Sequence, residues 1–254
     1  VFLCGLRSAK YLACQPKRGE LLESIYAFMR YLDDIADGDI PLPQGHSSPA
    51  DYIQGKIAFA NEKREPQDAA EKLLLHCFEL ADQTGENYLS ETNDILGSLH
   101  FDAKRRNPDS PISLPQRDLQ HHFHLLDIRG TIGACLKLSQ EKGVQVNDLQ
   151  PLGDASRIFY SIRDFDEDIK AGFNNVSVED TQSLGIEPED MRDSSSKKVQ
   201  QWFRQEAQKG MNMLQDHRTE LPKMPLRRLT KAALWWVYER PAKKFFQHIL
   251  GHNE

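Results

Sequence analysis

"YAFMRYLDDIADG", residues 26–38, is the stretch on which the reading of the fold turns. At about 100° per residue, Leu21, Leu22, Ile25, Phe28, Met29, Leu32, Ile35 and Ala36 fall in one wide apolar arc, which predicts a helix over 18–37 with one buried side. Tyr26, Arg30, Asp33 and Asp37 are spaced four, three and four apart, so they stack on one face. That stripe borders the apolar arc instead of lying opposite it, with Asp34 pointing further out. An ordinary amphipathic helix keeps its carboxylates on the wet side, and the helix dipole disfavours acids at a C-terminus. The plain reading is a solvated helix end with an Arg30–Asp33 or Arg30–Asp34 pair. The functional reading is a stripe that lines a cleft and waits for a cation.

Working outward, the 254 residues suit one large α-helical domain over 1–254. Hydrophobic residues are 39% and charged residues 28%, the balance of a soluble globular chain. A net charge of −6 argues against a nucleic-acid binder with a basic surface. No run reaches the roughly 18 apolar residues of a membrane span. The start, VFLCGLRSAKYLACQPKRGE, has no long apolar core, so no signal peptide is expected, and it lacks an initiator Met. Cys4, Cys14, Cys77 and Cys135 form no CxxC pair and read as reduced thiols of a cytoplasmic protein. Helical periodicity predicts helices near 18–37, 50–63, 66–83, 87–103, 115–140, 147–171, 195–217 and 225–249. Breaks fall at Pro41-Leu42-Pro43, at Pro108 to Pro115, at Gly143 and over the polar stretch Asn174 to Ser196. The expected architecture is all-α, a helical bundle around a central cavity.

A second acidic stretch, "YSIRDFDEDIKAGFNN" (160–175), places Asp164 and Asp168 four apart on one predicted helical face. Arg157 and Ser161 share that side, and Ile158, Ile162, Phe165 and Ile169 form the neighbouring apolar arc. Arg163 and Glu167 lie round the other side, where they can pair. A solvated charged helix is the plain reading of this stretch alone. Two carboxylate-x-x-x-carboxylate motifs, each beside an apolar stripe, suggest more: if their helices face each other, four carboxylates converge at a cavity mouth. Carboxylate oxygen suits Mg²⁺, which often takes one or two carboxylates and completes its shell with water and phosphate oxygens. An aspartate cage over an apolar cavity fits a diphosphate with a hydrocarbon tail. There the metal makes diphosphate a better leaving group and aromatic faces stabilise an allylic cation.

At these residues the chain resembles the squalene/phytoene synthase family of head-to-head prenyltransferases. The first motif matches in "SIYAFMRYLDDIADG". The second, "RDFDEDIKAGFNN", looks like the family's Arg-Asp-x-x-Glu-Asp with its basic-Gly turn. Between them, "HFDAKRR" (100–106) resembles the mid-chain Asp/Arg segment and "HLLDIRGTIG" (124–133) the family's Tyr-Cys-x-x-Val-Ala-Gly-Thr-x-Gly helix. Order and spacing agree over roughly residues 15–190. The resemblance implies the isoprenoid (terpenoid) synthase fold, Mg²⁺ as cofactor, and the joining of two allylic prenyl diphosphates, farnesyl favoured and geranylgeranyl possible, through a cyclopropylcarbinyl diphosphate. It gives Asp33, Asp37, Asp164 and Asp168 the metal-binding and catalytic role. Tyr26, Arg30 and Arg163 would position or neutralise diphosphate, with Asp102, Arg105, His124 and Tyr160 as further substrate-binding candidates.

The chain departs from the family at several positions. Arg157 and Tyr160 stand where Gln and Asn are usual, His124 replaces a Tyr, and Arg129 replaces a small Ala. "SAKY" (8–11) is the nearest match to the N-terminal Ser-x-Ser-Phe-like motif. Arg157 and Tyr160 motivate one rival, an enzyme that ionises one prenyl diphosphate to a cyclised or hydrolysed product; the other rival, a non-catalytic lipid-binding or assembly paralogue, is opposed by the retention of all four motif aspartates. His100, His121, His122 and His124 lack zinc-ligand spacing and read as a polar helix face. Phe101, Phe123, Phe159, Phe165, Trp202, Trp235 and Trp236 read first as core. No Gly-rich nucleotide loop is visible, so NADPH use has no sequence support. Pro241 is expected to kink or break the last helix. Lys243 and Lys244 beside Phe245 and Phe246 offer a peripheral membrane contact for product release, against the plainer reading of a packed helix with exposed lysines.

Overall fold

The computed structural model describes residues 16–62 and 64–251, and among these the regular structure is helical throughout, with no strand. Cys4, Cys14 and the "SAKY" motif (8–11) lie outside the described residues. No helix among them is long and apolar enough to cross a membrane. In order the helices are α1 (Pro16–Ala36), α2 (Pro49–Asn61), α3 (Ala69–Thr84), α4 (Leu89–Arg105), α5 (Gln116–Phe123), a π-helical segment His124–Ile132, α6 (Gly133–Leu138), α7 (Gln150–Arg163), α8 (Phe165–Ala171), α9 (Val178–Leu184), α10 (Lys197–Glu220), α11 (Arg228–Leu234), a second π segment Trp235–Glu239, and α12 (Arg240–Ile249). The chain divides into two compact units, residues 1–104 with 129–142, and residues 105–128 with 143–254.

In the first unit α1 lies along α3. Leu21 of α1 is fully buried with Cys77, Leu80, Ala81, Tyr88, Ala134 and Leu138, the outcome its place in the apolar arc predicts. Ser48 and Asp68 cap α2 and α3 by accepting the N–H groups of Asp51 and Glu71. Two buried cations hold this unit. The Arg18 guanidinium donates to the carbonyls of Lys137 (3.0 Å), Leu138 (3.4 Å) and Thr84 (3.1 Å), with Glu86 at 3.6 Å. Those carbonyls close the last turns of α6 and α3, where acceptors are left over and the dipole is negative. Lys56, 2% exposed, donates to Glu71 (2.9 Å) and Asp68, while Arg64 grips both oxygens of Glu71 at 2.8 Å. Burial works against ionisation of Glu71, but Arg64, the Gln67 N–H and Lys56 outweigh it and hold the carboxyl at about 2.

In the second unit α7 lies along α10, and α12 packs on both. Val199, Trp202, Phe203, Ala207, Gly210 and Leu214 form the buried stripe of α10 at helical spacing. Gly210 is required there, because a Cβ would stand 2.5 Å from the Phe246 ring of α12. Phe165 meets Trp202 and Phe203 at centroid distances of 6.0 and 5.2 Å.

Several predicted boundaries change. The continuous helix expected over 147–171 breaks at Asp164 (φ −98°, ψ 9°). The break puts Asp166, Glu167 and Asp168 in the first turn of α8, where negative charge meets the positive end of the dipole. The helix expected over 115–140 passes through the π segment. The stretch 174–196, expected as an irregular break, contains α9, capped by Ser177 and closed by Gly185 in the left-handed region. None of its residues is buried, so no apolar period announced it. Pro241 does not end the last helix, but the α-helical pattern is interrupted directly before it by the π segment Trp235–Glu239, in keeping with a proline that removes an N–H from the helical ladder.

Replacing Arg18 by Leu leaves three helix-end carbonyls without their donor, and the expected loss is about 3 kcal/mol, read as a lower urea midpoint.

Candidate functional site

In the first unit, Leu21, Phe28, Leu32, Ile35 and Ala36 are buried, and the predicted stripe lies beside them. Tyr26 and Asp37 are half-buried. Arg30 pairs with Asp33 at 3.1 Å and also with Asp34, so the pairing of the plain reading is present twice over. Asp34 does not point further out: its side chain is 24% exposed against 38% for Asp33. The cause is the turn after α1, whose Asp39 and Ile40 N–H groups fold back onto the Asp34 carbonyl at 2.8 and 3.2 Å. The Asp37 N–H reaches the Asp33 carbonyl at 2.8 Å, which keeps the two aspartates in helical register beyond the last residue of α1. Burial, and then the negative charges of Asp33, Asp102 and Asp39, push the Asp37 carboxyl up to about 7, with Arg30 offsetting only part. Among the described residues no side chain donates a hydrogen bond to this carboxylate.

In the second unit, Asp164 occupies the junction between α7 and α8. Both its oxygens accept from Arg163, Nε and Nη2, each at 2.6 Å. Arg163 therefore pairs with its neighbour and not with Glu167 as the helical wheel predicted; the wheel assumed a continuous helix, and the chain breaks between those residues. Asp168 is half-buried one turn on, its N–H 2.8 Å from the Asp164 carbonyl. Burial and the Asp164 charge raise its carboxyl to about 6, against the pull of Arg157, Arg105 and Asn175.

The turn after Asp168 is held in place. Asn175 donates to Asp168 Oδ2 at 2.8 Å and accepts from Arg105 Nη2 at 2.9 Å. Arg105 also donates to the Asn174 carbonyl (3.3 Å) and stacks 5.1 Å from the Phe173 ring. Arg106 donates to the Ala171 carbonyl at 2.9 Å. Gly172 adopts φ 101°, and its Cβ would fall 2.5 Å from the Pro108 nitrogen, so glycine is required twice over. The two arginines of "DAKRR" (102–106) grip the loop behind the second motif.

Arg157 is engaged by Asp127 through Nε and Nη2 at 2.7 and 2.8 Å and lies 4.4 Å over the Phe123 ring. The Tyr160 ring lies 4.7 Å from the Arg163 guanidinium, and burial raises its hydroxyl pKa. His124 is within electrostatic reach of Asp154. Asp102 is half-buried and acts on Asp37 as a like charge. Sequence reasoning gave no role to Asp127 or Asn175. Asp127 lies 30 residues from Arg157 with no pattern to join them. Asn175 follows a left-handed glycine, which is the one local cue to a fixed orientation.

Carboxylate oxygens are the donor type Mg²⁺ prefers, and burial with neighbouring negative charge raises the Asp37 and Asp168 carboxyls. Among the described residues of either unit, no three His, Cys, Asp or Glu side chains converge to hold an ion. A cation at either pair would therefore complete its shell from water or ligand oxygens. The chain matches no family model and no curated protein.

An acid whose pKa is raised on folding holds its proton more tightly folded than unfolded. Its contribution to stability is therefore lost as pH rises from about 3.8 through about 7 for Asp37. Asp37→Asn removes this penalty, so at pH 8 without divalent cations the variant should melt about 3 °C above the wild type, with the difference vanishing near pH 4. A Tm for Asp37→Asn at or below that of the wild type at pH 8 overturns the assignment.

Proposed function

We propose that the protein is a Mg²⁺-dependent prenyltransferase of the squalene/phytoene synthase type, with the isoprenoid synthase fold, joining two allylic prenyl diphosphates head to head. Farnesyl diphosphate is the favoured substrate. The observation that carries the reading is the repeated geometry of two half-buried aspartate pairs, Asp33 with Asp37 and Asp164 with Asp168, each one turn apart and tied by an N–H to carbonyl bond of 2.8 Å, with Asp37 and Asp168 raised to about 7 and about 6. Asp33 with Asp37 in the first unit, and separately Asp164 with Asp168 in the second, would each offer carboxylate oxygens to a cation. When bound, it would neutralise diphosphate and make it a better leaving group.

The chain's own groups have separable tasks in this reading. Asn175, anchored by Arg105, fixes the orientation of Asp168, as outer partners of ligating carboxylates do. Arg30 and Arg163 are each held by an aspartate of their own motif, and diphosphate oxygens would compete for them. Phe159 and Tyr160, with ring centroids 5.0 Å apart, offer π faces to a cation.

A second reading is favoured by the Arg163–Asp164 pair. With both Asp164 oxygens taken, the second motif has a competitor for any metal. Arg157, occupied by Asp127 where the family has Gln, is a further change at the same motif. An enzyme that ionises a single prenyl diphosphate, or a lipid-binding paralogue without turnover, fits those pairings.

Incubation with Mg²⁺ and farnesyl diphosphate, with and without NADPH, followed by mass spectrometry, separates the readings. Head-to-head coupling gives a thirty-carbon product. A fifteen-carbon alcohol or cyclic terpene supports single-substrate ionisation, and silence with geranylgeranyl diphosphate as well supports the binding protein. Asp33→Asn and Asp168→Asn should each lower turnover by about a hundredfold or more; full activity in both sinks the metal assignment.

A further inference from the structure

The last helices carry charge opposite to that of the chain. Residues 218–248 hold eight Lys and Arg against two Glu, in a chain of net charge −6. The same segment exposes its apolar side chains: Leu229 is 59% exposed, Trp236 56% and Val237 41%. Leu229, Ala232, Ala233 and Trp236 follow the i, i+3, i+4, i+7 spacing of one helical face, and Arg240 and Lys244 continue it. The helix turns π from Trp235 to Glu239. A wider turn accommodates an extra residue, and the neighbours Trp236 and Val237 both reach solvent. The Arg240 guanidinium sits 4.4 Å from the Trp236 ring. Arg227 and Arg228 are exposed at the start of the stripe.

The sequence set a membrane contact at Phe245 and Phe246 against the plainer reading of a packed helix, and for the two rings the structure has the packed arrangement. Phe246 is fully buried against Gly210, and Phe245 packs edge-on against Phe159 at 5.1 Å. The exposed apolar surface lies one helix earlier.

We infer that residues 227–244 dock the protein on an anionic membrane surface, with Leu229, Trp236 and Val237 entering the headgroup region and the surrounding Arg and Lys side chains meeting lipid phosphates. An exposed indole with a guanidinium beside it suits the interface, where one end of the contact is apolar and the other wet. Each cation near such a surface adds attraction. A second copy of the chain is the poorer occupant, because a two-fold interface sets the patch against itself and brings cations face to face. A nucleic acid would satisfy the cations and leave Leu229 and Val237 without apolar contact. The inference does not rest on the catalytic reading.

The test is co-sedimentation of the full chain with phosphatidylcholine vesicles, with and without phosphatidylglycerol. Binding is expected to the anionic vesicles only, and to weaken in about 0.5 M salt as the charges are screened. Leu229→Glu with Trp236→Glu, and separately Arg228→Glu with Lys231→Glu, should each lower the partition coefficient about tenfold or more while the helical circular dichroism is kept. If a charge variant fails to fold, quenching of wild-type tryptophan fluorescence by brominated phosphatidylglycerol, diminished in Trp236→Phe, reads the same contact. Equal binding by wild type and folded variants, no binding to anionic vesicles, quenching unchanged in Trp236→Phe, or a dimer in light scattering that Trp236→Glu dissolves would overturn the inference.

Discussion

The constraint behind the whole arrangement is the cost of holding a carboxylate partly out of water beside other carboxylates. Desolvation and like charge both oppose ionisation, and at Asp37 and Asp168 they raise the carboxyl to about 7 and about 6. Elsewhere the same chain answers the same problem differently. Glu71 is 1% exposed, yet Arg64, the Gln67 N–H and Lys56 hold it ionised. Arg18 is buried against the ends of two helices and a carboxylate. Neutralisation in place is not general, however: burial also raises Glu239, which is 2% exposed and faces Arg218, as well as Asp154 and Glu206. Carboxylates raised in this way cost stability once the pH exceeds their pKa.

The two motifs reach that state by different means. In the first, a continuous helix carries the aspartates to its C-terminal edge, where the dipole gives them no relief, and the returning turn covers Asp34. In the second, the helix breaks at Asp164 and restarts, so Asp166, Glu167 and Asp168 gain from a new helix N-terminus. Asp168 is then fixed by Asn175, Arg105 and the Gly172 turn. A ligating side chain held by a packed loop loses little freedom on binding, which is the usual reason for fixing such groups from behind.

Charge is also partitioned along the chain. The acidic motifs lie far in sequence from the basic last helices, and that basic segment is where the large apolar side chains Leu229, Trp236 and Val237 meet solvent. Cations beside an exposed indole form a surface with different business from the carboxylate pairs, and the two features need no common explanation.

What the sequence alone determined was the helical class, the apolar arc of α1, the stripe of Tyr26, Arg30, Asp33 and Asp37 beside it, and the pairing of Asp164 with Asp168. All of these follow from spacing along one chain segment, because a helix converts periodicity directly into a face. Tertiary structure decided the rest. The Arg157–Asp127 pair, the Arg105–Asn175–Asp168 chain and the pressure of Asp102 on Asp37 join residues that are distant in sequence and share no period. The break at Asp164 and the short helix α9 also escaped the pattern, one because the apolar arc runs through it without interruption, the other because it buries nothing. Trp236, read from the sequence as core, is 56% exposed, whereas Phe246 is buried where Gly210 carries no side chain.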